Sequence, residues 1–218
     1  MSAILIIGES GAGKSSSIEG LDPANTLLIQ VINKDLPFRY KKIGWMHKTP
    51  DNPKGSIIHT TDSDLICQAI KKTSKSVVVI DDFNNLMVSR FMSTVLEKKT
   101  GNEAFAVYNE IAHSIWKILD ALKDLGSEKR VYFLAHSDTN EYGFTRMKTI
   151  GKLLNEKVLI EANFSVVLQA KVINGNHVFL TKSMGDSVVK SPIGMFDGEM
   201  IANNLSQVDK KVMEYYAE

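Results

Sequence analysis

Ala3-Ile4-Leu5-Ile6-Ile7 runs without a break into Gly8-Glu9-Ser10-Gly11-Ala12-Gly13-Lys14-Ser15, and this junction constrains the chain more than any other stretch. A short apolar run bounded by glycine reads as a buried strand. The spacing Gly-x4-Gly-Lys-Ser after such a strand is that of a phosphate loop. Glycines let backbone N–H groups turn inward around phosphate oxygens, the lysine adds a point charge, and the serine hydroxyl can ligate Mg²⁺. Gly8, Glu9, Ser10, Gly11, Ala12, Gly13, Lys14, Ser15 and Ser16 are therefore the expected nucleotide contacts. ATP and Mg²⁺ are the expected ligands, and a helix is expected from about Lys14 to Glu19.

Downstream, apolar runs alternate with helix-period segments, the pattern of an α/β protein with a mainly parallel sheet. Strands are expected at Thr26–Val31, Ser56–His59, Ser76–Ile80 and Arg130–Ala135, the β-branched run at Ser76–Ile80 being central. Pro37 to Gly55 reads as a polar excursion over the surface. A capping box at Thr61-Asp62-Ser63-Asp64 predicts a helix to about Lys72, and another is expected over Asn85–Glu97. Tyr108, Ile111, Ala112, Ile115, Leu119 and Leu122 form a helical stripe that Gly126 should stop. A short helix is expected near Lys148–Lys157. Phe164–Val172 and His177–Thr181 flank Asn174-Gly175, a hairpin turn signal. Pro192–Phe196 reads as irregular and Leu205–Tyr216 as a terminal helix.

All 218 residues fit one domain, 1–218: five core strands, helices on both faces and an antiparallel C-terminal edge hairpin. A net charge of +1 excludes a generally basic nucleic-acid coat, so any such contact must come from local clusters. The lone Cys67 excludes an internal disulfide framework, and no apolar run approaches the ~20 residues of a membrane span. With no leader-like N-terminus, the expected location is cytoplasmic, with no membrane partner.

Two more motifs carry chemistry. Val77-Val78-Val79-Ile80 ends in Asp81-Asp82. Such a strand end presents a carboxylate to the Mg²⁺ of a phosphate loop, the role expected for Asp81. Asp82 is the first candidate to orient the attacking water, against the alternative that it caps the next helix; Glu9 is the second candidate. Val131-Tyr132-Phe133-Leu134-Ala135 ends in His136, where a polar side chain could hydrogen-bond a γ-phosphate. His47, His59, His113 and His177 show no metal-ligand spacing.

On these motifs the chain resembles the RecA-fold ATPases, and more narrowly the small AAA-family ATPases of bacteriophage replication and recombination genes. Asn33-Lys34-Asp35-Leu36-Pro37-Phe38-Arg39, Ile80-Asp81-Asp82-Phe83 and Val131 to His136 carry the resemblance, as do Lys148 to Leu154 and Lys190 to Phe196. It implies a RecA-like P-loop NTPase core, a homo-oligomer with ATP between subunits, and a role with single-stranded DNA in the phage-infected host cell. The segments that would face DNA are Ser89-Arg90 to Asn102 and Ser137 to Lys152, with Arg146, Lys148 and Lys152 on phosphates. A basic residue beyond the edge hairpin would meet the neighbour's γ-phosphate. Lys182 matches that position best and Lys190 is the alternative.

The chain departs from RecA, which has a catalytic glutamate after its second strand; here that stretch is Gln30-Val31-Ile32-Asn33. Hydrolysis is therefore expected to be slow or DNA-stimulated, and a nucleotide-gated DNA-binding module that hardly turns over stays open. A nucleotide or nucleoside kinase needs an arginine-rich lid, whereas Arg39, Arg90, Arg130 and Arg146 are scattered. A GTPase is disfavoured because Asn33-Lys34-Asp35 has neither the spacing nor the position of a guanine-reading motif.

Overall fold

The computed structural model describes residues 2–96, 102–151, 154 and 158–217. Its sheet runs β3-β2-β4-β5-β1-β7-β8-β9, with β6 paired to β5. The strands are β1 Ser2–Gly8, β2 Thr26–Gln30, β3 Ile57–His59, β4 Val77–Asp81, β5 Arg130–Thr139, β6 Thr145–Met147, β7 Val166–Ile173, β8 Asn176–Leu180 and β9 Met200–Ala202. β3, β2, β4, β5, β1 and β7 are mutually parallel, while β8 and β9 add antiparallel strands beyond β7. The fold is thus α/β, a RecA-like P-loop NTPase core with antiparallel C-terminal strands. Among the described residues, no helix is long and apolar enough to cross a membrane.

Alternation along the buried strands sends side chains to two cores. Leu5, Ile7, Ile80, Phe133 and Val167 face helices α1 Ser63–Lys72, α2 Asn85–Leu96 and α3 Asn102–Ala121. Ile4, Ile6, Val79, Tyr132 and Leu168 face helix α4 Leu205–Tyr216 and the segment around Trp45. The α1 cap is Asp62, which accepts from the Asp64 and Leu65 N–H groups. Asn174 at φ 50° and Gly175 at φ 79° make the hairpin turn expected between β7 and β8.

Several expectations need correction. The helix after the phosphate loop is only a 3₁₀ segment, Ser16–Gly20. Three consecutive serines compete with the backbone there (the Ser17 hydroxyl donates to the Lys14 carbonyl at 2.6 Å), and Asp22-Pro23 follows at once. The Pro37–Gly55 excursion is pinned to the core, because Trp45 is fully buried and Tyr40 and Leu36 lie beside it. α3 ends at Ala121 in a 3₁₀ turn, Leu122–Asp124, and Gly126 beyond it takes no left-handed conformation. β5 runs past His136 to Thr139 and folds back on β6, so the loop expected after it begins as a hairpin. Glu97 lies outside the described residues, as do 152, 153 and 155–157 of the helix expected near Lys148–Lys157, while its described start at 148–151 is not helical.

Candidate nucleotide site

Strand order places four C-terminal ends side by side. Gln30 of β2 is in register with Asp81 of β4, and His136 of β5 is in register with Gly8 of β1. Because these strands are parallel, these four positions open onto one crevice, although β5 itself continues to Thr139.

The loop from Gly8 to Ser15 folds around Lys14, which is buried, and its ammonium donates to the carbonyls of Gly8 at 2.7 Å and Glu9 at 2.8 Å. Burial pushes the Lys14 amine down to about 8, an effect partly offset by Asp81 and Asp82. Among the described residues, the amides of Gly11, Gly13, Lys14 and Ser15 donate to no protein acceptor. Two glycines are dictated by space. Gly8 lies against β7, where an added Cβ would sit 2.7 Å from the Ala170 carbonyl oxygen. Gly13 has φ +94°, and a Cβ there would meet His177 Nδ1 at 2.8 Å and Asn203 Nδ2 at 3.1 Å.

The Ser15 hydroxyl donates to the Asp81 carboxylate, at 2.9 Å from Oδ2 and 3.1 Å from Oδ1. Asp81 is buried, and that burial followed by the Asp82 charge pushes its carboxyl up to about 6, against the pull of Lys34, Ser15 and Lys14. Asp82 is buried beside it at φ 60°, and its N–H donates to Asp81 Oδ1 at 3.1 Å. The Asp82 carboxylate does not act as the ordinary helix cap that was its alternative reading. Its Oδ2 lies 2.5 Å from Lys34 Nζ and its Oδ1 lies 3.7 Å from His136 Nε2. Burial first, then Lys14, pushes the half-buried His136 imidazole below its ordinary pKa, so it faces the site neutral near pH 7.

Sequence reasoning missed Lys34 and Asn84 as members of this cluster. The Asn84 side chain is buried and its Oδ1 accepts from the His136 N–H at 3.1 Å, fixing the height of His136. Lys34 stands on the polar turn after β2, and only its place four residues past Gln30, a strand residue flanking β4, could have flagged it.

The other expected residues lie apart. Glu9 is exposed on the loop. β8 starts at loop level, with His177 beside Gly13, and runs away from it, so exposed Lys182 lies past its far end. Lys190 is exposed, with its backbone paired to Val167. Arg146, on β6, lies 3.8 Å from the buried Glu161 carboxylate. Lys148 is exposed and its N–H donates to the His136 carbonyl at 2.8 Å. Lys152 lies outside the described residues. Ser89 and Arg90 belong to α2, and Arg90 pairs with Glu110. With Arg130 bound to Asp209, three of the four arginines are committed to ion pairs, and no arginine lid stands over the loop.

The residues present fit a magnesium nucleotide. Ser15 and Asp81 form an all-oxygen pair of one hydroxyl and one carboxylate, the sparse protein set Mg²⁺ uses when phosphates and waters complete its octahedron. Among the described residues there is no cluster of three or more His, Cys, Asp or Glu able to cage a metal by protein alone. Free loop amides around a buried ammonium match a polyphosphate. A family model described as an AAA domain matches residues 2–191 of the chain. None of the curated proteins compared with the chain matches it.

Proposed function

The chain belongs to the AAA domain family, whose membership implies a nucleotide-binding ATPase, and on that premise we propose that it hydrolyses ATP with Mg²⁺ at the Gly8–Ser15 loop. The observation that carries this reading is the loop itself: amides without protein acceptors curled around Lys14, with Ser15 held against Asp81.

Lys14 exchanges its two carbonyl partners for phosphate oxygens when ATP enters. Ser15 and Asp81 would hold the ion, which when bound screens charge on the β- and γ-phosphate oxygens. Asp82 orients the attacking water and takes its proton as the bond from the γ-phosphorus to the bridging oxygen breaks. His136 donates to a γ-phosphate oxygen and reports its presence. Support for these roles is proximity, since Asp82 and His136 share one crevice with Lys14 and Asp81.

The finer setting follows the resemblance. Subunits assemble with ATP between them, and Lys182 reaches the neighbour's γ-phosphate, as its exposed position beyond the edge hairpin allows. Single-stranded DNA is the partner, as in phage recombination and replication, met by Lys148, which is bonded through its backbone to His136, with Arg146 and Lys152 nearby in sequence. Phosphate release from ATP, with and without single-stranded DNA, tests both levels. Release that depends on Mg²⁺ supports the ATPase, and stimulation by DNA supports the partner. Binding without release would favour a nucleotide-gated assembly module.

A further inference from the structure

The ion pair between Lys34 and Asp82 occupies the crevice where the terminal phosphate of ATP would lie. Lys34 Nζ sits 2.5 Å from Asp82 Oδ2, while the other oxygen of that carboxylate faces His136. The two partners are unequally committed. Asp82 is almost fully buried and its backbone is held at φ 60° with its N–H on Asp81, whereas the Lys34 side chain is 42% exposed. The Lys34 backbone is fixed from below, because the buried Gln30 Nε2 donates to the Lys34 carbonyl at 2.9 Å. Gln30 is itself in register with Asp81, so the lysine is hung from the strand beside the acidic one. Its charge bears on Lys14, Asp81 and His136 as well as on Asp82.

We infer that Lys34 is a positioning residue that clamps Asp82 while the nucleotide site lacks a γ-phosphate and transfers its ammonium to that phosphate when ATP binds, releasing Asp82 for the water. An incoming γ-phosphate carries more negative charge than one carboxylate and competes for the same ammonium. ADP supplies no such group, so the clamp stays closed and the water-orienting carboxylate stays engaged. Gln30 serves as the tether that keeps the pivot beside β4. This inference rests on the ATP reading of the loop, and its handover can be measured without turnover.

The test is equilibrium binding of ATP and of ADP, each with Mg²⁺, to the parent, Lys34→Met, Asp82→Asn and the double variant. A charge-assisted contact at a half-exposed site predicts about a tenfold loss of ATP affinity in Lys34→Met, with ADP affinity changed less than about twofold. Asp82→Asn frees the lysine and should tighten ATP several-fold, and that gain should vanish in the double variant. Lys34→Arg, which keeps the charge, should recover part of the ATP preference. Equal effects of Lys34→Met on ATP and ADP would overturn the handover, as would an Asp82→Asn gain that persists without Lys34. Failure of the underlying reading looks different: the parent itself would not bind ATP. Loss of the water-orienting role alone would appear as unchanged hydrolysis in Asp82→Asn with the binding cycle intact.

Discussion

At the scale of residues, the site stores unfavourable electrostatics that a ligand would relieve. Asp81 is buried beside a second carboxylate and its pKa lies at about 6, above the ordinary 3.8. A carboxyl with a raised folded pKa stabilises the fold while protonated; that contribution is complete below the unfolded value and lost as pH rises through the folded one. Metal-free protein should therefore lose on the order of 3 kcal/mol between about pH 4 and pH 6 from this group. Asp81→Asn should remove that loss, leaving the metal-free variant more stable than the parent at pH 7.5 by denaturant titration, yet weaken the Mg²⁺ dependence of ATP binding. A parent no less stable than the variant at pH 7.5 would mean that Asp81 is better compensated than its surroundings indicate. The neighbouring Asp82 separates binding from chemistry. Asp82→Asn should retain ATP binding and lose hydrolysis, and equal phosphate release in variant and parent would pass the role to Glu9.

At the scale of elements, a buried polar cluster joins the sheet to α4 beside the apolar contacts of Leu205, Val208 and Val212. Arg130 of β5 donates to Asp209 of α4 through Nε at 2.6 Å and Nη2 at 3.1 Å, and the Tyr132 hydroxyl donates to the same carboxylate at 2.6 Å. Asp209→Ala would strand a buried guanidinium and a buried phenol, costing about 3–5 kcal/mol in thermal or chemical unfolding. Arg130 pairs with Ser2, at the opposite end of β1 from Gly8, so ATP affinity of the folded variant should be unchanged. Elements with a strong local period were legible from sequence: α4 was read to its last residue, and Asn174-Gly175 announced its turn. Elements decided by distant contacts were not. Nothing local in Tyr40 to Trp45 says that a lysine-rich excursion buries a tryptophan in the core on that face of the sheet, and serine chemistry undid the helix expected after the loop. The phosphate loop and Asp81 were legible because their spacing is the chemistry. Lys34 and Asn84 were not, because strand order, which no single segment encodes, brings them to Asp82 and His136.

At the scale of the whole molecule, the proposed assembly makes activity a property of neighbours. Lys182 lies past the end of β8 that points away from the chain's own loop, so its contribution would come in trans. Specific ATPase activity should rise with protein concentration, and Lys182→Ala should bind ATP but lose most turnover, by about 10³-fold at most given lysine's lack of a bidentate fork. Mixing it with Lys14→Ala should restore part of the activity, since one interface can then pair an intact loop with an intact Lys182. Concentration-independent turnover by a monomer would contradict the trans mechanism. Beneath assembly and partner lies the loop, and the most direct measurement is Mg²⁺-dependent phosphate release from ATP by the parent and by Lys14→Ala, alongside ATP affinity and a circular dichroism spectrum of each. The parent should release phosphate, and a variant with the parent's spectrum should release none and bind ATP about two orders of magnitude more weakly. Equal affinity and release in a folded Lys14→Ala would contradict this.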